Sequence, residues 1–194
     1  PTEIIQKTLE VTTQLATSCI RYPMTRHIKS RNPHATTPRI DETVSTDPQF
    51  ANCKSLFHGY IGSQTYFGIT SKMINVYGFR SKGEFPQNYR DFIREEGAPS
   101  ALRWDNAPVE KSQEILDIHR QFAIKDQWSE AYNQQQNPVE GCAIRWLKSA
   151  CHGLLDRTGA PPSAWYFALR YLADVHNFTY DNGLGMTPYQ RRHG

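Results

Sequence analysis

The sequence predicts one α/β domain with a mixed sheet, preceded by a basic arm. Three observations predict it. Short β-branched and aromatic runs alternate with stretches whose apolar residues recur at the helical period. The 194 residues suffice for one well-buried core and are few for two. Finally, the charge divides unevenly. Residues 1–40 carry six basic groups against two acidic ones, a net +4, whereas the remaining 154 residues hold sixteen basic and seventeen acidic groups, a net −1.

Residues 1–40 are rich in Thr, Ser, Arg, Pro and His, with a short helix expected over Glu3–Thr17. Pro23, Pro33 and Pro38 interrupt any longer period, so this stretch reads as an arm or linker. The core is expected over 41–194. Thr43–Asp47 is a first strand, rich in β-branched residues. Thr65–Thr70 and Ile74–Phe79, parted by Ser-Lys-Met, read as a hairpin. Phe85, Tyr89, Phe92 and Ile93 form the stripe of a helix over Glu84–Glu96, stopped by Gly97 and Pro99. Ser100–Trp104 is the next strand, running into Asp105-Asn106. A helix over Glu110–Phe122 with Ile115, Ile118 and Phe122 on one stripe leads to a last strand, Ala123–Trp128. Asn137-Pro138 opens another helix, with Asn as cap and Pro at its first position, and Val139, Cys142, Ala143, Trp146 and Ala150 as its buried stripe. The last amphipathic helix is expected over Ser163–Asn177. About five strands flanked by helices make one mixed-sheet domain.

Composition narrows the class. With 38% hydrophobic and 21% charged residues the chain is too apolar for disorder and too polar for a membrane protein. No run approaches the ~18–20 apolar residues of a spanning helix, and the first residues lack the apolar core and cleavage site of a secretory signal, so no membrane partner is expected. Cys19, Cys53, Cys142 and Cys151 are widely spaced without a C-x-x-C pair, and neither they nor His27 and His34 supply zinc-ligand spacing. No structural zinc is expected; the cysteines read as buried free thiols of a reduced intracellular protein. The basic arm suits a polyanion, or is a solvated leader.

Three acidic residues stand out by position. Asp47 lies on or just after the first strand, Asp105 follows Ser100–Trp104, and Glu140 sits in the first turn of the helix opened by Asn137. Carboxylates at strand ends beside a helix can converge, and hard oxygen donors suit Mg²⁺, which keeps other positions for water and phosphate. Each also has a plain structural role: Asp105-Asn106 as a turn, Glu140 as the capping-box residue three after Asn137, Asp47-Pro48 as a strand end.

The wording around these residues points further. Thr46-Asp47, Asp91-Phe92-Ile93-Arg94 leading to Gly97-Ala98-Pro99, Arg103-Trp104-Asp105-Asn106-Ala107, and Glu130-Ala131-Tyr132-Asn133 leading to Gln136-Asn137-Pro138-Val139-Glu140 occur in that order. Downstream stand Pro162, Trp165, Ala168, Tyr171-Leu172, Asn177 and Thr187-Pro188-Tyr189-Gln190. From about Pro38 onward the chain resembles the integrase catalytic core of copia-type long-terminal-repeat retrotransposons. The Asp105–Glu140 separation of 35 positions is within about one residue of that family's D…D…E spacing.

The resemblance implies an RNase H-like fold and a metal-binding catalytic triad of Asp47, Asp105 and Glu140, holding two Mg²⁺ or Mn²⁺ ions. It implies polynucleotidyl transfer on double-stranded DNA, at least a dimer, and action in the nucleus, with a cytoplasmic particle beforehand. Gly141 departs from the family, where a basic residue commonly stands, and Ala107 replaces a common glycine. The length suits an arm plus catalytic core and not a whole integrase. For DNA contact, Gln136 and Asn137 lie in the loop before Glu140, Lys148 stands two turns after it, and Arg145 and Lys111 are further phosphate candidates. The plain alternatives are a polar linker and solvated side chains. Trp104, Trp146 and Trp165 read as core anchors, and His119 as a core or rim histidine. Two other functions remain open: an RNase H-like nuclease or transposase using water, and a domesticated, non-catalytic module that binds DNA or self-associates.

Overall fold

The computed structural model describes residues 2–10, 36–104, 112–128 and 139–194, with the backbone alone at Trp128 and Glu140. Residues 2–10 are helical. Five strands follow: β1 (Arg39–Phe50), β2 (Gly62–Gly68), β3 (Ile74–Phe79), β4 (Ala98–Trp104) and β5 (Lys125–Trp128). They form one sheet in the order β3-β2-β1-β4-β5. β1, β2 and β3 run antiparallel as a meander, and β4 and β5 run parallel to β1. The helices are α1 (Phe85–Glu95), α2 (Gln113–Phe122), α3 (Arg145–Thr158), α4 (Trp165–Phe178) and α5 (Pro188–His193); a π-helical turn, Val139–Ile144, runs into α3. The expected mixed five-strand sheet flanked by helices is therefore the architecture found.

Alternation along the strands divides the interior into two layers. On one face Val44, Tyr66 and Leu102 meet Tyr89, Phe92, Ile115 and Ile118 of α1 and α2. On the other, Phe67, Ile74 and Val76 meet Val139, Ala143, Leu147, Trp165 and Leu169. α1 ends at Glu95 with Glu96 as its cap, and Gly97 turns the chain at φ +117°; a β-carbon there would stand 2.8 Å from the Pro38 carbonyl, so both conformation and space require glycine.

The element boundaries differ from expectation where the chemistry is atypical. β1 does not stop at Asp47 but continues to Phe50, because β2 offers the partners Pro48↔Gln64, Gln49↔Ser63 and Phe50↔Gly62. β2 starts at Gly62, three residues early, and Ser63, Gln64 and Thr65 are buried despite their polarity. Gln64 and Thr65 bond to side chains of β1 across the ladder: Gln64 Nε2 donates to Thr46 Oγ1 (2.7 Å), and Gln49 Nε2 to Thr65 Oγ1 (3.1 Å). β5 begins at Lys125 and not at Ala123, since Ala123 takes the left-handed conformation (φ +52°) that closes α2.

Trp146 is not a core anchor. It is 40% exposed and rests against His176, with ring centroids 5.2 Å apart. The cause is the π turn, whose i→i+5 closure turns less per residue than an α-helix. The buried stripe falls on Val139, Ala143, Leu147 and Cys151, at steps of four, and rotates Cys142 and Trp146 outward. The thiols follow suit: Cys151 is buried, but Cys53 and Cys142 are exposed.

Candidate active site

Asp47 sits half-buried in the second half of β1, directly opposite Thr65 of β2. Strand alternation puts it on the same face as Ser45 and Gln49, and Ser45 pairs with Phe67, a member of the layer beneath α3 and α4. The π turn packs against both β1 and β2 on this face. Glu140 is the second residue of that turn, so its backbone and Asp47 belong to the same side of the sheet. π turns recur at functional sites because they re-aim side chains that an α-helix would point elsewhere. Gly141, next in the turn, has open space where a β-carbon would stand.

β4 lies beside β1 in parallel, with Ser45 opposite Arg103. Its last residue, Trp104, is fully buried and immediately precedes Asp105 in the sequence. Asp105, Lys111, Gln136 and Asn137 lie outside the described residues. Lys148 and Arg145 are both exposed on α3, and Lys148 lines a cleft that opens beside Gln49, two residues past Asp47. Among the described residues no three His, Cys, Asp or Glu side chains cluster as a metal site; two of the three predicted ligand side chains are not among them. The donor that is described, a half-buried carboxylate among Ser, Thr and Gln neighbours, fits a hard cation such as Mg²⁺.

Behind Trp104 stands a group that the sequence does not single out as a pair. His119 of α2 is 3% exposed, its ring stacks on Trp104 (centroids 4.8 Å, 19°), and its Nδ1 contacts the Asp126 carboxylate of β5. Burial outweighs that carboxylate and lowers the pKa of His119, so the imidazole is held neutral. Seven positions separate His119 from Asp126, a spacing without any motif. Only the turn at Ala123 brings them face to face.

Comparison with family models and with curated proteins returns no match. Solved structures do match. A chain of the simian T-cell lymphotropic virus intasome, solved with PP2A regulatory subunit B56 gamma, superposes with a TM-score of 0.66 at 16% identity, covering 94% of this chain and 67% of that one. The HTLV-2 integrase catalytic core domain in complex with magnesium (trimeric form) gives 0.57 at 19% identity, covering 79% and 97%. The catalytic core domain of BIV integrase gives 0.60 at 17% identity, covering 78% and 93%. The chain therefore has the RNase H-like fold of retroviral integrase catalytic cores.

Proposed function

We propose that this chain is the catalytic core of a copia-type retrotransposon integrase, a polynucleotidyl transferase acting on double-stranded DNA. In this reading a terminal 3′-hydroxyl of element DNA attacks a phosphodiester of target DNA. A new phosphodiester forms, the target's own 3′-oxygen leaves and takes up a proton, and no covalent enzyme intermediate arises. The observation that carries the reading is the shared face and register of β1, β4 and the π turn. Asp47 and Asp105 each lie two positions beyond the paired Ser45 and Arg103, and Glu140 belongs to the turn packed over β1.

Asp47, Asp105 and Glu140 would hold two Mg²⁺ or Mn²⁺ ions, which when bound activate the attacking hydroxyl and neutralise charge at phosphorus. The protein's own contribution would be alignment, with Asp47 on β1, Asp105 next in sequence after the last residue of the parallel β4, and Glu140 in the π turn packed on the sheet. Lys148 and Arg145 of α3, with Lys111, Gln136 and Asn137, are the proposed DNA contacts. The same reading assigns at least a dimer, in line with the trimeric and dimeric forms of the HTLV-2 core, and a site of action in the nucleus after a cytoplasmic particle.

A strand-transfer and disintegration assay comparing wild type with Glu140→Gln and Asp47→Asn tests it. Both variants are expected to lose at least a hundredfold in rate while binding duplex DNA within twofold of wild type. Equal rates in variant and wild type would sink the triad. Binding without turnover in all three proteins would favour the non-catalytic module, and cleavage by water without strand joining the nuclease.

A further inference from the structure

The structure carries a cleft of about 420 Å³, within the range of small-molecule sites (~300–1,000 Å³), that borders the end of the strand carrying Asp47. Its walls are the end of β1 with the following loop, α3, and the start of α4. The deep wall is apolar and its polar atoms are already satisfied. The Trp165 indole N–H donates to the Cys53 carbonyl (3.0 Å), the Cys151 thiol meets the Trp165 carbonyl (3.8 Å), and Leu169 is 4% exposed. Phe50, 48% exposed, stands at the rim.

Two charges at the mouth complete the arrangement. Lys148 and Asp156 both line the cleft from α3, and both are exposed. Neither is engaged in an ion pair or hydrogen bond with the described protein. They stand eight residues apart on α3, about 12 Å along the axis. An apolar slot with a cation at one end and a carboxylate at the other is complementary to a nucleoside 5′-phosphate. The base lies on the apolar wall, the phosphate meets Lys148, and the exocyclic or sugar donors face Asp156.

We infer that this cleft seats one unpaired nucleotide of a DNA strand whose paired part lies across the Asp47 face. The inference rests on the proposed DNA-processing function and deepens it, because it assigns single-strand recognition to a place distinct from the acidic residues. The cleft faces the same layer as Asp47 and opens two residues beyond it. A strand leaving that face therefore has the cleft, with Lys148 and the apolar wall, directly beside it.

The test uses the full chain and a DNA duplex carrying one unpaired 2-aminopurine nucleotide, beside a fully paired duplex with the same fluorophore. The unpaired probe is expected to bind at least tenfold more tightly and to change its emission on binding. Ala160→Trp, which places an indole in the cleft from the loop after α3, should abolish the preference and leave affinity for the paired duplex within twofold. Lys148→Glu, at an exposed site where the fold should tolerate the change, should lower affinity for both probes and for the unpaired one more. Competition by free 2′-deoxyadenosine 5′-monophosphate would assign the seat to any nucleoside phosphate; preference without such competition would assign it to a nucleotide within a strand. Equal affinity for the two probes, or a preference untouched by Ala160→Trp, overturns the inference while DNA binding stands. Failure to bind either duplex overturns the functional reading with it.

Discussion

Asn177 shows how much one side chain does in this fold. It is 3% exposed, accepts the N–H of Ile74 (2.8 Å) and donates to the carbonyl of the same residue (2.7 Å). It thus completes the backbone pairing of β3 from α4, and no local pattern in the sequence announces this. His119 is the other decisive residue, and it makes stability depend on pH. Its pKa lies below the unfolded value because burial outweighs the Asp126 carboxylate, and its Nε2 finds no hydrogen-bond partner among the described residues. The unfolded chain then binds the proton that the folded chain refuses. Stability is full above the unfolded histidine pKa, about 6.5, and falls as the pH drops from there towards the folded value. His176, half-buried, acts in the same direction because its partial burial also lowers its pKa. Urea midpoints measured from pH 8 to pH 5 should therefore decline below pH 7, and His119→Gln should make the decline shallower without removing it. A slope identical in variant and wild type would refute the assignment.

At the scale of elements, the sheet and the long helices are legible in the sequence, and the short pieces are not. The stripe Phe85, Tyr89, Phe92, Ile93 marks α1 because period and burial coincide there. The start of β2 escapes the pattern because buried Ser63 and Gln64 carry no hydrophobic signal. α5, at six residues, is too short for any period, although Thr187 caps it in the ordinary way by accepting the Gln190 N–H (3.1 Å). Yet α5 carries Arg192, whose side chain is 1% exposed. Its Nε donates to Glu42 Oε1 (2.9 Å), and its Nη1 to Asn75 Oδ1 (2.9 Å) and Glu96 Oε2 (3.2 Å). Glu42 is filled out by Ser71 Oγ and the N–H groups of Thr70 and Ser71. This one guanidinium fastens the last helix to β1, β3 and the end of α1. Removing one partner of a buried pair strands the other charge, so Arg192→Met should lose about 3–5 kcal/mol of unfolding free energy. Pairing it with Glu42→Gln should recover part of that loss. Urea denaturation of the single and double variants checks both statements, and an unchanged midpoint in Arg192→Met would show that the clamp carries no weight.

For the whole molecule, the fold class can be read from periodicity, but the site can be read only as positions along elements. Asp47 on the first strand follows from the Thr43–Asp47 run. That its face is the one beneath the π turn depends on register and on how α3 packs, which are long-range properties. The charge division is global in the same sense, and the structure sharpens it. Of the six cations in residues 1–40, Lys7 pairs with Glu3 (3.2 Å) and lies over the Tyr180 ring (5.1 Å). Arg39 donates to the Phe122 and Ala123 carbonyls and so caps the C-terminal end of α2. Both are occupied in holding the fold. The other four, Arg21, Arg26, Lys29 and Arg31, lie outside the described residues and are the cations to test against a polyanion. Replacing these four with Gln in the full chain should leave the unfolding midpoint unchanged and flatten the dependence of log affinity for duplex DNA on log salt, by about 0.9 for each phosphate no longer neutralised. Anisotropy titrations across a salt series measure that slope. A slope equal to wild type would make the arm a solvated leader, and the DNA affinity would then have to come from the exposed cations of α3. That outcome is distinguishable, because Lys148→Gln would flatten the slope where the arm variant did not.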